Sequence, residues 1–227
     1  MPRDTFEREI QRLQDDVLAL ASIVETALTE SVDILKRRDV EASQHLIKQD
    51  RTVINQRRFA IEGDTLALIA TQQPMAGDLR KLAAILEIAG ELERIGDYAK
   101  GIARINLLIG DGPLLKPLVD IPRMAEKARD MLHRAVDAFA QRDVDLARAI
   151  PLEDDEVDAL YNQVYRDLVA LILADTSAIT QANYLLWAAH NLERAADRVT
   201  NICERVIFTV TGELVEMDAE TMGKMHI

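Results

Sequence analysis

A chain of 227 residues is long enough to bury a core without disulfides, as one large domain or two small ones. Hydrophobic residues make up 48% and aromatic residues only 4%, with Gly and Pro scarce, a balance that favours helices over a β-sandwich. The formal charge of −12, from 39 acidic against 27 basic residues, sets up a field that repels nucleic acid, anionic lipid and free phosphate alike.

The first periodic segment runs through Val17, Leu20, Val24, Ala27, Leu28, Ser31, Ile34 and Leu35 at steps of three and four, the pattern of a helix packed in a bundle. Asp39 stands where an N-cap is expected. A second periodic segment then passes through Ala42, Leu46, Val53, Ile61 and Leu68 and stops near Thr71-Gln72-Gln73-Pro74. Pro74 suits the start of a third helix, whose apolar stripe Leu79, Ala83, Leu86 and Gly90 continues to Leu108 before Gly110 ends it. Between Gly110 and Pro122 lie three of the six prolines and two of the nine glycines, a stretch no helix crosses. The domain junction belongs there, dividing the chain into 1–111 and 112–227.

The second half repeats the plan. One periodic helix lies around Met124, Met131, Ala135 and Phe139, a turn falls near Arg142-Asp143, another helix reaches Leu173, and the last runs from Ser177 to Thr211. The last helices of the two halves align at an offset of 100, pairing Leu79 with Ile179, Leu86 with Leu186, Glu93 with Glu193 and Asp97 with Asp197. The middle helices align at an offset of 103, pairing Asn55 with Asp158 and Ala67-Leu68-Ile69 with Ala170-Leu171-Ile172. Such a repeat signals duplication. The expected fold is all-α, two tandem three-helix bundles of six long helices joined by short turns.

Cys203 is the single cysteine, which excludes an intramolecular disulfide and fits a reducing compartment and a small core residue. No stretch approaches the roughly 18 consecutive apolar residues of a membrane span, and Met-Pro-Arg-Asp has no signal-peptide pattern. A soluble, cytoplasmic protein is expected. The tail from Glu213 to Ile227 reads as a loose end or a small contact.

The residues that carry chemistry are Glu-Arg-Ile-Gly-Asp at 93–97 and Glu-Arg-Ala-Ala-Asp at 193–197. Residues four apart share a helix face, so each Glu and its Asp point the same way, a like-charge pair that is mildly destabilising unless something lies between them. Both pairs extend the apolar stripes of their helices and are expected to face the bundle, where bare carboxylates must protonate, pair with a cation or bind metal. Arg94 and Arg194 project away from that face. The middle helix of the second half adds Asp154 and Asp158, again four apart, and the corresponding stretch of the first half offers Asp50 and Asn55.

These eight residues are the candidate metal ligands. Oxygen ligation of this kind suits iron, manganese, magnesium or calcium. His190 and Asn201 lie within reach of the second set. Against metal stands the reading in which the acids are salt-bridged or simply favour the first turn of a helix. No histidine of His45, His133, His190 or His226 has a Glu three residues before it, which argues against a carboxylate-bridged di-iron oxidase. No Walker loop, dinucleotide fingerprint or nucleophile elbow is present. A metal-dependent hydrolase or oxidase and a metal-free helical scaffold remain as alternatives to a binding protein.

The two Leu-Glu-Arg-x-x-Asp segments, with Gln73-Pro74-Met75-Ala76-Gly77-Asp78-Leu79-Arg80, resemble the PhoU family over essentially the whole chain. The resemblance implies multinuclear metal clusters, with iron or zinc the usual metals, built around Glu93 and Asp97 and around Glu193 and Asp197. It also implies a role. Members are negative regulators that couple the ATPase-driven phosphate ABC transporter to a sensor histidine kinase controlling phosphate-starvation genes, and they are not enzymes. The chain departs from the family pattern at Arg198, where many members carry His. Long amphipathic helices also favour self-association, and a homodimer is expected.

Overall fold

The computed structural model describes residues 3–110 and 112–217. Among them every regular element is helical, and six long helices follow one another in the expected order. Helix α1 (Arg3–Arg37) starts a full three turns before Val17, because Phe6, Ile10 and Leu13 carry the buried stripe back toward the N-terminus. Arg38, at φ 61°, ends it, and the Asp39 side chain caps the next helix by accepting the Ala42 N–H at 2.9 Å. Helix α2 (residues 40–72) is α-helical over Val40–Gln49 and Asn55–Gln72, with a π-helical turn at Asp50–Ile54 between them.

Helix α3 (Ala76–Ile109) begins two residues after Pro74, which stays in the turn beside left-handed Gln73. Gly110, at φ 72°, stops it, and the expected junction falls in the non-helical stretch that follows. Helix α4 (Asp120–Gln141) accepts Pro122 in its first turn. Asp143 caps helix α5 (residues 144–174) through the Leu146 N–H at 2.9 Å. Pro151 has no N–H to give, and α5 tightens there into a 3₁₀ stretch, Ile150–Glu153, before resuming at Asp154–Ala174. Helix α6 (Ile179–Thr211) is closed by Gly212.

Helices α1–α3 and α4–α6 each form a three-helix bundle, and the two bundles lie face to face. Helix α1 packs on α4 and α3 on α6, leaving α2 and α5 as outer flanks. One hydrophobic cluster runs through all of it, from Phe6 and Leu20 through Leu92 to Phe139 and Ile202. The α3–α6 contact is antiparallel along its length: Glu87 meets Arg205, Glu91 meets Asn201, Tyr98 meets Arg194, and Gly101 lies against Asn191. The duplication offset of 100 turns the Glu91–Asn201 pair into the Asn191–Gly101 pair, so a local two-fold relates the halves, with Gly96 and Ala196 near its axis.

This packing corrects the expected direction of the acidic stripes. The broad faces of α3 and α6 buried in the shared core are Leu82, Ile85, Ile88, Leu92, Ile95 and Ala99 on one and Leu185, Ala189, Leu192, Ala196 and Val199 on the other. The stripe through Leu79 and Leu86 runs along the edge of α3, with Leu79 43% exposed, and Ile179 on α6 is 56% exposed. Glu93, Asp97, Glu193 and Asp197 extend these edge stripes and are half-buried or exposed.

Residues 213–217, expected as part of a loose end, fold back on α6: the Met217 N–H donates to Glu204 at 2.8 Å, and the Met217 side chain is buried. The rest of that tail, with His226, lies outside the described residues. No helix among the described residues is long and apolar enough to cross a membrane.

Candidate metal centres

In the first half the π-helical turn of α2 brings Asp50 against α3. Asp50 is 1% exposed, and the Lys100 ammonium, three residues beyond Asp97 on α3, donates to its Oδ2 at 2.7 Å and also to Asp97 Oδ1. Burial alone would lower the pKa of Lys100, but the hydrogen bonds to Asp50 and Asp97 outweigh it and hold the ammonium charged. Burial raises the Glu93 pKa, the Asp97 charge adds to the rise, and the positive Arg58 opposes it. Asp50, Glu93 and Asp97 thus form one cluster, closed by an internal cation that sequence reasoning missed. Asp50 Oδ1 and Asn55 Oδ1 are buried without hydrogen-bond partners, the one feature of this half that favours an added ion.

The second half brings Asp154 and Asp158 of α5 together with Glu193 and Asp197 of α6. All four pKa values are raised, each chiefly by burial. Asp154 is raised furthest, to about 7, and the charges of Asp197, Asp158 and Glu193 add to the effect of burial. Asp197 also feels Asp158, and Glu193 feels Asp197, so the four groups repel one another. His190 Nδ1 lies 3.0 Å from Glu193 Oε2, at an ion-pair distance without hydrogen-bond geometry.

No lysine or arginine within the described residues forms an ion pair with Asp154, Asp158, Glu193 or Asp197. The basic groups nearby are engaged elsewhere. Arg134 grips Glu153 through two hydrogen bonds at 2.8 and 2.7 Å, and Lys127 adds a third at 2.6 Å, holding the Glu153 pKa down near 2. Arg194 lies over the Tyr98 ring, 4.9 Å from its centre. Asn201, expected as an amide ligand, instead donates to Glu91 across the α3–α6 seam. Trp187 is 52% exposed and makes an edge contact with Tyr184.

Asp154 does stand in the first turn of the main stretch of α5, with Asp155 and Glu156, yet its pKa moves upward, opposite to the effect of a helix N-terminus. The second-half donor set suits a hard cation in type and charge, since a metal ion or protons relieve the same repulsion. As they stand, no group of three or more His, Cys, Asp or Glu side chains among the described residues is arranged to hold an ion. Ligation there takes side-chain rotation.

The sequence model of the PhoU domain matches this chain twice, over residues 17–105 and 121–206. The chain belongs to the PhoU family. The two matches coincide with the two bundles and with the internal repeat. The chain is 31% identical over 219 residues to the phosphate-specific transport system accessory protein PhoU homolog of Clostridium acetobutylicum, covering 96% of this chain and 100% of that one. It is 36% identical to the homolog of Aquifex aeolicus, covering 92% and 94%. The crystal structure of PhoU from Pseudomonas aeruginosa superposes with a TM-score of 0.86 at 32% identity, over 92% of this chain and all of that one.

Proposed function

We propose that this protein is an accessory regulator of phosphate-specific transport that keeps phosphate-starvation genes repressed when phosphate is plentiful. It acts as a binding protein at the cytoplasmic side, engaging the ATPase of a phosphate ABC transporter and a sensor histidine kinase. The observation that carries this reading is the end-to-end match, at 31% identity, to a relative named as an accessory protein of that transport system. Disrupting the gene is expected to derepress alkaline phosphatase in phosphate-rich medium. Unchanged repression rejects the role.

Metal is the second part of the reading. Asp154, Asp158, Glu193 and Asp197 would hold iron or zinc, or manganese or magnesium, and the cation would supply positive charge binding α5 to α6. The mutual repulsion of these four carboxylates, only partly offset at Asp197 by Arg198, Arg194 and His190, supports this. The bound ion would fix the spacing of the two helices and so the surface a partner meets. A homodimer belongs to the same proposal and is tested by sedimentation of the intact chain.

A further inference from the structure

The duplication allows each acidic residue of one half to be compared with its counterpart, and the two halves do not match. The N-caps Asp39 and Asp143 are 104 residues apart, whereas Asn55 and Asp158 are 103 apart. The extra residue of the first half is the π-helical turn at Asp50–Ile54, since such a turn is a one-residue insertion into an α-helix. The offset of 104 holds up to Asp50, the first residue of the turn, which therefore falls opposite Asp154. The counterparts of Asp154, Asp158, Glu193 and Asp197 are therefore Asp50, Asn55, Glu93 and Asp97.

Two differences follow. An amide, Asn55, replaces the carboxylate of Asp158, and Lys100 stands where the second half has Thr200. Thr200 carries no charge. Lys100 reaches both Asp50 and Asp97, linking α2 to α3 by two charge-assisted hydrogen bonds. The helices are also pressed close at this point. A Cβ on Gly96 would lie 3.0 Å from Ile54 Cδ1 and 3.4 Å from Asp50 Oδ1, whereas the counterpart of Gly96 is Ala196.

We infer that the Lys100 ammonium is the resident cation of the first half, holding α2 to α3 in the place where the second half leaves room for a metal ion. The second-half comparison rests on the metal reading proposed above, while the role of Lys100 is testable without it. A metal entering between Asp50 and Asp97 has to displace a tethered ammonium and leave it in a partly buried position with no counter-ion. With Lys100 removed, both oxygens of Asp50 and the unpaired Asn55 Oδ1 become available beside Glu93 and Asp97.

The test uses the full chain stripped with chelator and titrated with Mn²⁺ in a calorimeter, with melting temperature read alongside. Asp154→Asn with Asp197→Asn disables the second half, and this double variant is expected to lose Mn²⁺ uptake although its first-half acids are intact. Adding Lys100→Thr to it, the residue found at the second-half position, is expected to restore uptake and a metal-dependent rise in melting temperature. Lys100→Arg, which keeps a cation there, is expected to restore nothing. Lys100→Gln provides a second uncharged variant with a longer stem should the threonine variant not fold. Undiminished uptake by the double variant overturns the inference, and so does a failure of both uncharged variants to bind. Failure of the unaltered chain to take up Mn²⁺, Fe²⁺ or Zn²⁺ counts against the metal reading of the second half alone, because gain of binding on loss of Lys100 still decides what Lys100 does.

Discussion

Asp154 begins the main stretch of α5 with a carboxyl whose pKa is about 7 against 3.8 for an unperturbed aspartate. A pKa raised in the folded state means that folding is favoured most where the group is protonated in both states and is penalised as pH climbs through the folded value. Metal-free protein should therefore lose stability as pH rises from about 4 to about 7 and change little above that. Asp154→Asn should remove that loss, leaving the variant more stable than the parent by about 1–2 kcal/mol at pH 8 after allowance for solvent screening. The two should converge below about pH 4. Denaturant melts at the three pH values check it, and a parent that stays equally stable at pH 8 refutes the mutual repulsion. The acids themselves were legible in the sequence, because two like-charged pairs at equivalent places in a repeat are not what a solvated helix face produces. Their direction was not. Helix α3 is covered by α1 on one side and α6 on another, so it carries a broad buried face as well as the edge stripe of Leu79 and Leu86, and periodicity alone does not rank the two. Lys100 was missed for a related reason: its spacing of three from Asp97 was visible, but its second partner, Asp50, lies on another helix.

At the scale of the element, the caps and breakers settled most of the fold. Asp39, Gly110, Asp143 and Gly212 end or begin helices where their chemistry requires, and the offset of 100 between α3 and α6 survives intact in the packing. No proline or glycine in Asp50-Arg-Thr-Val-Ile54 marks the π-helical turn in α2, and its one trace in the sequence is the extra residue between Asp39 and Asn55 relative to Asp143 and Asp158. Two glycines of α3 test how tightly that turn is pressed against its neighbour. Gly90 has open space around a built Cβ, so Gly90→Ala should stabilise the protein by about 0.5–1 kcal/mol through helix propensity. At Gly96 the new methyl would approach two carbons of buried Ile54, at 3.0 and 3.2 Å, and Asp50 Oδ1 at 3.4 Å. Gly96→Ala should destabilise by about 1 kcal/mol despite the same propensity gain. Thermal melts of the pair check the contrast; equal shifts would mean that α2 yields freely.

For the whole molecule, the continuous cluster across α1, α3, α4 and α6 ties the two bundles into one cooperative unit. Calorimetry should give a single transition whose van't Hoff and calorimetric enthalpies agree, and two resolved transitions would show that each bundle stands alone. The repeat predicted two similar bundles but not their face-to-face arrangement, because a seam made from Glu91 with Asn201 and from Tyr98 with Arg194 is polar at its edge and looks in sequence like ordinary surface. Cys203 sits inside that shared interior, fully buried, with burial pushing its thiol up to about 12. At neutral pH it is neither ionised nor reachable, so an alkylating dye stays colourless against the native chain. The lone thiol thereby serves as a natural stopwatch for opening: each molecule labels once, and only when α6 has left its neighbours, with no engineered tag required.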